Sequence, residues 1–193
     1  MTQQATPEGI AGDSHQSGED NRMWLQTTFA RLERPLIAYA MRLLNGNVEV
    51  ARDCVQESFL RLCRERQSHV EGHVDAWLFK TCRNRAMDYH RQEARMIIDS
   101  DSSALATATS RSAEPAGYFA QREEQDQMHA QISRLPTREQ EVLSLRLGQG
   151  LTYKQIAEIT DLSVSHVGVL LHEAVSKLRT AMSTNTKHLS SGR

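Results

Sequence analysis

Between Asp99 and Gly117 the chain reads "DSDSSALATATSRSAEPAG", mostly Ser, Ala, Thr and Asp, with Pro115 and Gly117 closing the run. Side chains this small and polar cannot offset the entropy of ordering their backbone, so 96–117 is expected to be a flexible linker. It divides the 193 residues into a first block over 22–95 and a second over 118–182. Each block is small enough that its core is only marginally sufficient alone. Two modest domains on a supple connection suggest one partner gripped at two separated places. The polar stretch 1–21 is expected to be a disordered lead, and 183–193 a disordered tail.

Within the blocks the periodicity is helical. Aromatic residues make up only 5% of the chain, and no run alternates Val, Ile, Thr and Tyr as a strand would. The expected fold class is all-α, two small helical domains joined by the linker. A net charge of −1 excludes a strongly basic, free-standing phosphate binder, so any nucleic-acid contact has to be local or shared with a partner. Cys54, Cys63 and Cys82 form no CxxC pair, and their odd number argues against a disulfide framework, which fits a reducing cytoplasm. The first 21 residues lack an apolar export core, and no segment is apolar enough to span a bilayer, so neither export nor membrane insertion is expected.

The first block reads as three helices, near 22–44, 49–66 and 75–95, broken by "NGN" at 45–47 and by "SHVEGH" at 68–73. In the second, Ala51, Val55, Ser58, Phe59 and Leu62 share one stripe and form the core side. The opposite side carries Asp53, Gln56, Glu57, Arg61 and Arg64 around Leu60. This is either a solvated face with one stray leucine or an acidic and amide surface around an apolar anchor that docks a partner helix. In the third helix Leu78, Phe79, Cys82, Ala86 and Tyr89 share a stripe, while Lys80, Asn84, Arg91 and Arg95 lie nearly opposite. Trp77 and Asp88 flank this basic side, and Arg83 stands at its other border. Asn84 can donate and accept at a base edge; Trp77 either stacks on an unpaired base or packs against the first helix.

"ARDCVQESFLRLCR" followed by "DAWLFKTCRNRAMDYHRQ" resembles conserved region 2 of the sigma-70 family of transcription initiation factors, and the short two-block length resembles the extracytoplasmic-function (ECF, group IV) subgroup. The resemblance covers most of 22–95. It implies that Asp53, Gln56, Glu57, Leu60 and Arg61 dock on the clamp helices of the largest subunit of RNA polymerase. It further implies that Lys80, Arg83, Asn84, Asp88 and Arg91 bind and help melt the minus-ten promoter element, with Trp77 added from its position on the same helix.

In the second block a helix near 118–134 leads into "LPTREQEVLSLRLGQGLT". Pro136 suits a helix start, with Thr137 or Ser133 near the cap and Glu139 and Glu141 favourable to the dipole. Leu143, Leu145 and Leu147 are expected to pack inward until Gly148 and Gly150 stop the helix. In "YKQIAEITDLSVSHVGVLL", Ile156, Ala157, Leu162, Val167 and Leu170 have the spacing of two helices crossing tightly in a helix-turn-helix. Asp161 takes the turn, being tolerant of left-handed backbone, and Ser163 caps the second helix. That helix is expected to bury Val164, Val167, Leu171, Ala174 and Leu178. Ser165, Val169, His172 and Ser176 then project outward, flanked by His166 and Glu173, as side chains that read a major groove or as ordinary exposed residues. Gly168 weakens the helix and would let it approach DNA closely.

This block resembles sigma region 4, which binds the minus-thirty-five element and the polymerase flap. The corresponding candidates are Tyr153, Lys154, Ser163, Ser165, His166, Val169 and His172. One departure stands out: the family often has "TVKSRLHRAR" where this chain has "HVGVLLHEAV", with several basic side chains missing. The expected partners are therefore core polymerase and promoter DNA, with an anti-sigma factor also possible on family grounds. No small-molecule substrate, cofactor or metal is expected. A LuxR-type regulator is the rival, since the second block also resembles that DNA-binding domain; its receiver domain, however, would alternate strands and helices. An enzyme finds little support, for the chain has no Gly-rich phosphate loop, no GxSxG and no HExxH. Cys63, His69, His73 and Cys82 are a conceivable metal set, but Gly72 disfavours a regular helix between the two histidines.

Overall fold

The computed structural model describes residues 13–99, 128 and 130–190, with side chains from 19 to 96, at 128 and from 130 to 183. Every regular element among them is helical. Helix α1 (Asp13–Leu43), α2 (Val48–Arg64), the single turn α3 (Gln67–Val70) and α4 (Val74–Asp99) make the first block. The second comprises α5 (Thr137–Leu143), a π turn (Ser144–Gly148), α6 (Tyr153–Thr160) and α7 (Val164–Ser190).

Three expected boundaries move. Helix α1 begins at Asp13, so 13–21 belong to a helix and not to a lead; α7 likewise runs on to Ser190, beyond the expected end at 182. Helix α4 extends to Asp99, into the first residues of the expected linker. The other parts of the expected lead, linker and tail, namely 1–12, 100–117 and 191–193, lie outside the described residues, as does most of the expected helix over 118–134.

The breaks follow from local chemistry. Asn45 and Gly46 take left-handed backbone, φ 53° and 84°, a conformation that glycine enters without a Cβ penalty and asparagine more readily than most residues. Asn47 then caps α2, its Oδ1 accepting from the Val50 amide at 3.2 Å. In the first block α1, α2 and α4 bury Leu32, Leu36, Val55, Leu62, Leu78 and Phe79. Phe29 meets Phe59 with ring centroids 4.8 Å apart, and Tyr39 meets Phe79 edge-on at 5.2 Å. The stripes expected of α2 and α4 are buried, with Tyr89 only half so.

Two inward assignments in the second block are corrected. Leu147 is 72% exposed, because the π turn widens the helix after Leu145 and carries Leu147 to the rim. Val164 is also exposed, since it occupies the first turn of α7, ahead of the crossing with α6.

The three thiols differ sharply. Cys54 and Cys82 are buried and Cys63 is exposed; burial pushes the Cys82 thiol up to about 12 and raises that of Cys54 as well. Because the thiolate is the reacting form, iodoacetamide should label the folded protein once, at Cys63, and three times after denaturation. Rapid native labelling of Cys82, read by peptide mass, would contradict this core.

Candidate functional site

Three surfaces hold the candidate residues. On α2, Asp53, Gln56, Leu60, Arg61 and Arg64 are exposed and Glu57 is half-buried, together lining one shallow depression. Leu60 is 50% exposed in its midst, on the side away from the core stripe. Glu57 is held in place from two directions, by Arg61 at 3.2 Å along α2 and by Arg85 of α4 at 2.5 Å. All five expected docking residues therefore share one face. The sequence pattern did not single out Arg85, whose role depends on how α4 lies across α2.

Helix α4 gives a divided answer. Lys80, Asn84 and Arg91 are exposed as expected, and Arg91 pairs with Asp88 at 2.6 Å. Trp77 is half-buried against the core, and its backbone carbonyl accepts from the Thr81 hydroxyl at 2.8 Å. Arg83 is set apart from them: its side chain is 7% exposed, Nε donates to Glu141 Oε1 at 2.9 Å, and Nη1 donates to Asp161 Oδ2 at 3.0 Å. Both carboxylates belong to the second block. Burial on its own would lower the Arg83 pKa, but Glu141, Tyr39 and Asp161 more than offset it and hold the pKa above its ordinary value.

The third surface is the helix-turn-helix. Thr152 and Gln155 form a capping box at the start of α6, the Gln155 amide donating to Thr152 Oγ1 at 3.3 Å and the Thr152 amide to Gln155 Oε1 at 2.9 Å. Asp161 ends α6 in left-handed backbone, φ 58° and ψ 34°, as its place in the turn predicts. Ser163 Oγ accepts from the His166 amide at 3.2 Å, which starts α7. Tyr153, Lys154, Ser163, Ser165, His166, Val169 and His172 are all exposed. They come from the two helices and the turn, and none of them lies in the core. The Arg146 guanidinium sits 5.4 Å from the Tyr153 ring centroid, a contact that helix periodicity does not reveal. A Cβ at Gly168 would stand 3.8 Å from the Tyr153 ring, an ordinary contact, so no crowding within the chain requires glycine there.

Two models of known families match the chain. The family model described as Sigma-70 region 2 matches residues 28–96, and that described as Sigma-70, region 4 matches 132–180. The ECF RNA polymerase sigma factor EcfG of Rhodopseudomonas palustris (strain TIE-1) is 31% identical over 144 residues, 74% of this chain and 76% of that protein. The chain belongs to the sigma-70 family of RNA polymerase sigma factors, in its ECF subgroup.

Two solved structures share the fold. The sigma factor RpoE in complex with the anti-sigma factor NepR from Bartonella quintana superposes with a TM-score of 0.61 at 20% identity, over 82% of this chain and 96% of that one. CnrH in complex with the cytosolic domain of CnrY gives 0.52 at 20% identity, over 88% and 94%. As a sigma factor the chain directs core polymerase to promoters and assists melting there, and the LuxR-type alternative is not favoured. Sigma factors are non-enzymatic initiation factors. Among the described residues no helix is long and apolar enough to cross a membrane.

Proposed function

We propose that this sigma factor docks on the clamp helices of the polymerase largest subunit through Asp53, Gln56, Glu57, Leu60 and Arg61. The observation that carries the reading is Leu60, an apolar side chain half in solvent at the centre of a polar, depressed face. A lone exposed leucine is ordinary, but one ringed by groups that can hydrogen-bond a partner has the layout of an interface centre. Trp77, Lys80, Arg83, Asn84, Asp88 and Arg91 then hold the minus-ten element, and Tyr153, Lys154, Ser163, Ser165, His166, Val169 and His172 face the minus-thirty-five element while the second block meets the flap.

The weakly basic recognition helix is consistent with this assignment. A block already tethered to polymerase sees promoter DNA at an effective concentration on the order of millimolar, so it needs little affinity of its own. On the same reading the chain works in the cytoplasm with no catalytic step or cofactor. The solved neighbour from Bartonella quintana, a sigma factor in complex with an anti-sigma factor, motivates a regulator of that kind here.

The test is transcription in vitro, with purified core polymerase, this chain and a library of randomised upstream DNA. Selected templates should share two motifs separated by a fixed spacing, and Val169→Lys should shift the upstream motif alone. Tight selection of DNA by the chain in the absence of polymerase would count against the reading.

A further inference from the structure

Arg85 lies outside the docking face yet holds one of its members. It stands on α4, next to the exposed Asn84, where α4 packs on α2. Its Nε is 2.5 Å from Glu57 Oε2, and among the described residues it pairs with no other carboxylate. Arg61 Nη2 donates to the other oxygen, Oε1, at 3.2 Å. A carboxylate has about four acceptor sites, so the two cations leave roughly half of them for a partner. The depression around Leu60 is lined by Asp53, Gln56, Glu57, Arg61 and Arg64. Arg85 reaches Glu57 from outside it.

We propose that Arg85 is a positioning residue for polymerase docking: without touching polymerase, it fixes the Glu57 carboxylate in the orientation that the partner meets. This rests on the docking assignment of α2.

Three observations favour a brace from the second helix. Unbraced, Glu57 is a long, half-exposed side chain with Asp53 one turn before it, a like charge that repels it, so it would spread over several rotamers. Arg61 cannot do the work alone. It is itself an exposed member of the face, and a partner that engages it draws it away from Glu57. Arg85, by contrast, keeps its place when the face is covered. Its backbone is also firmly seated, because Cys82 and Ala86 on the same helix are fully buried. The Arg85 and Glu57 side chains are 39% and 34% exposed. A pair this open adds little to folding, whereas a side chain ordered before binding spares the complex the entropy of ordering it. The effect of the pair therefore falls on docking and not on stability.

The test uses the full chain and core polymerase. Arg85→Met keeps the apolar stem and removes the cation. It should bind polymerase about fivefold more weakly, the size expected for one disordered long side chain. Its melting temperature should stay within about 3 °C of wild type. Arg85→Lys retains a cation and should recover binding to within about twofold. In a Glu57→Gln background, where the carboxylate is already gone, Arg85→Met should change affinity by less than about 1.5-fold, because two groups acting as one are not additive. With polymerase saturated, Arg85→Met holoenzyme should open promoters as wild type does.

Wild-type affinity in Arg85→Met overturns the proposal. So does an equal loss in the Glu57→Gln background, which would mean that Arg85 touches polymerase directly. An opening defect that persists at saturating polymerase would place Arg85 on the DNA side, and a melting temperature lowered by more than about 3 °C would make it a residue of the fold; either result overturns the positioning role. Leu60→Asp distinguishes these outcomes from failure of the docking assignment. If that chain also binds polymerase normally, the fault lies in the α2 face; if it does not while Arg85→Met does, only the role of Arg85 falls.

Discussion

Leu60→Asp should abolish stable association with core polymerase while leaving all the helices in place. The side chain is half in solvent, so its loss removes little from the fold, and surface substitutions of this kind generally change stability by less than about 0.5 kcal/mol. At an interface the same change removes an apolar centre and sets a carboxylate in a desolvated position, at a cost of about 2 kcal/mol or more, or roughly a 30-fold weaker dissociation constant. Glu57 is a poorer probe. Its bonds to Arg61 and Arg85 mean that a charge reversal would crowd three cations between α2 and α4 and confuse docking with folding. The measurement is co-purification, then titration of labelled chain with core polymerase, beside circular dichroism and thermal melting. Binding within twofold of wild type would show that the α2 face is not the docking surface.

Much of the fold was legible because each helix wrote its inward side into the sequence at the helical period. The buried positions of α2, the turn at Asn45–Asn47, the left-handed Asp161 and the Ser163 cap all follow from neighbours a few residues away. The misses share a cause. Leu147 depends on a π turn, a local change of pitch that the apolar spacing of Leu143, Leu145 and Leu147 does not announce. Val164 depends on where α6 crosses α7. Arg83 lay on the border of the basic side when α4 was considered by itself, and only contact with α5 and the α6–α7 turn turns that border into an interior. The other half of the pair was equally hidden: the sequence places Glu141 in the first turn of its helix, where a carboxylate suits the dipole, and nothing in that position announces a buried partner.

The same contrast answers why a chain of net charge −1 can act on DNA. Its 23 Lys and Arg are matched by 24 Asp and Glu, and some are paired within the chain, Arg91 with Asp88 and Arg83 with Glu141 and Asp161. A free chain of this kind has little electrostatic reason to coat nucleic acid, because non-specific affinity comes largely from neutralising phosphates. Polymerase supplies the proximity that weak charge does not. Selectivity in this arrangement comes from assembly more than from the strength of any one contact.

Lys80→Glu with Arg91→Glu should leave holoenzyme assembly unchanged and lower promoter opening about 100-fold, equivalent to about 2.7 kcal/mol at roughly 1.36 kcal/mol per decade. Both side chains are exposed on α4 opposite its buried stripe, and neither touches Arg83, Glu141 or Asp161, so the block contact is untouched. Two attractions to the strand become two repulsions, and Asp88 loses the partner that neutralised it. Charge effects beyond about 8 Å are screened at physiological salt, so a loss of this size requires the two side chains to lie close to the strand. Permanganate reactivity of unpaired thymines reports the opening, and polymerase titration reports assembly. The loss should shrink as salt rises, since the wild type forfeits its phosphate contacts too; a deficit independent of salt would mean that these residues act through the fold and not at the DNA.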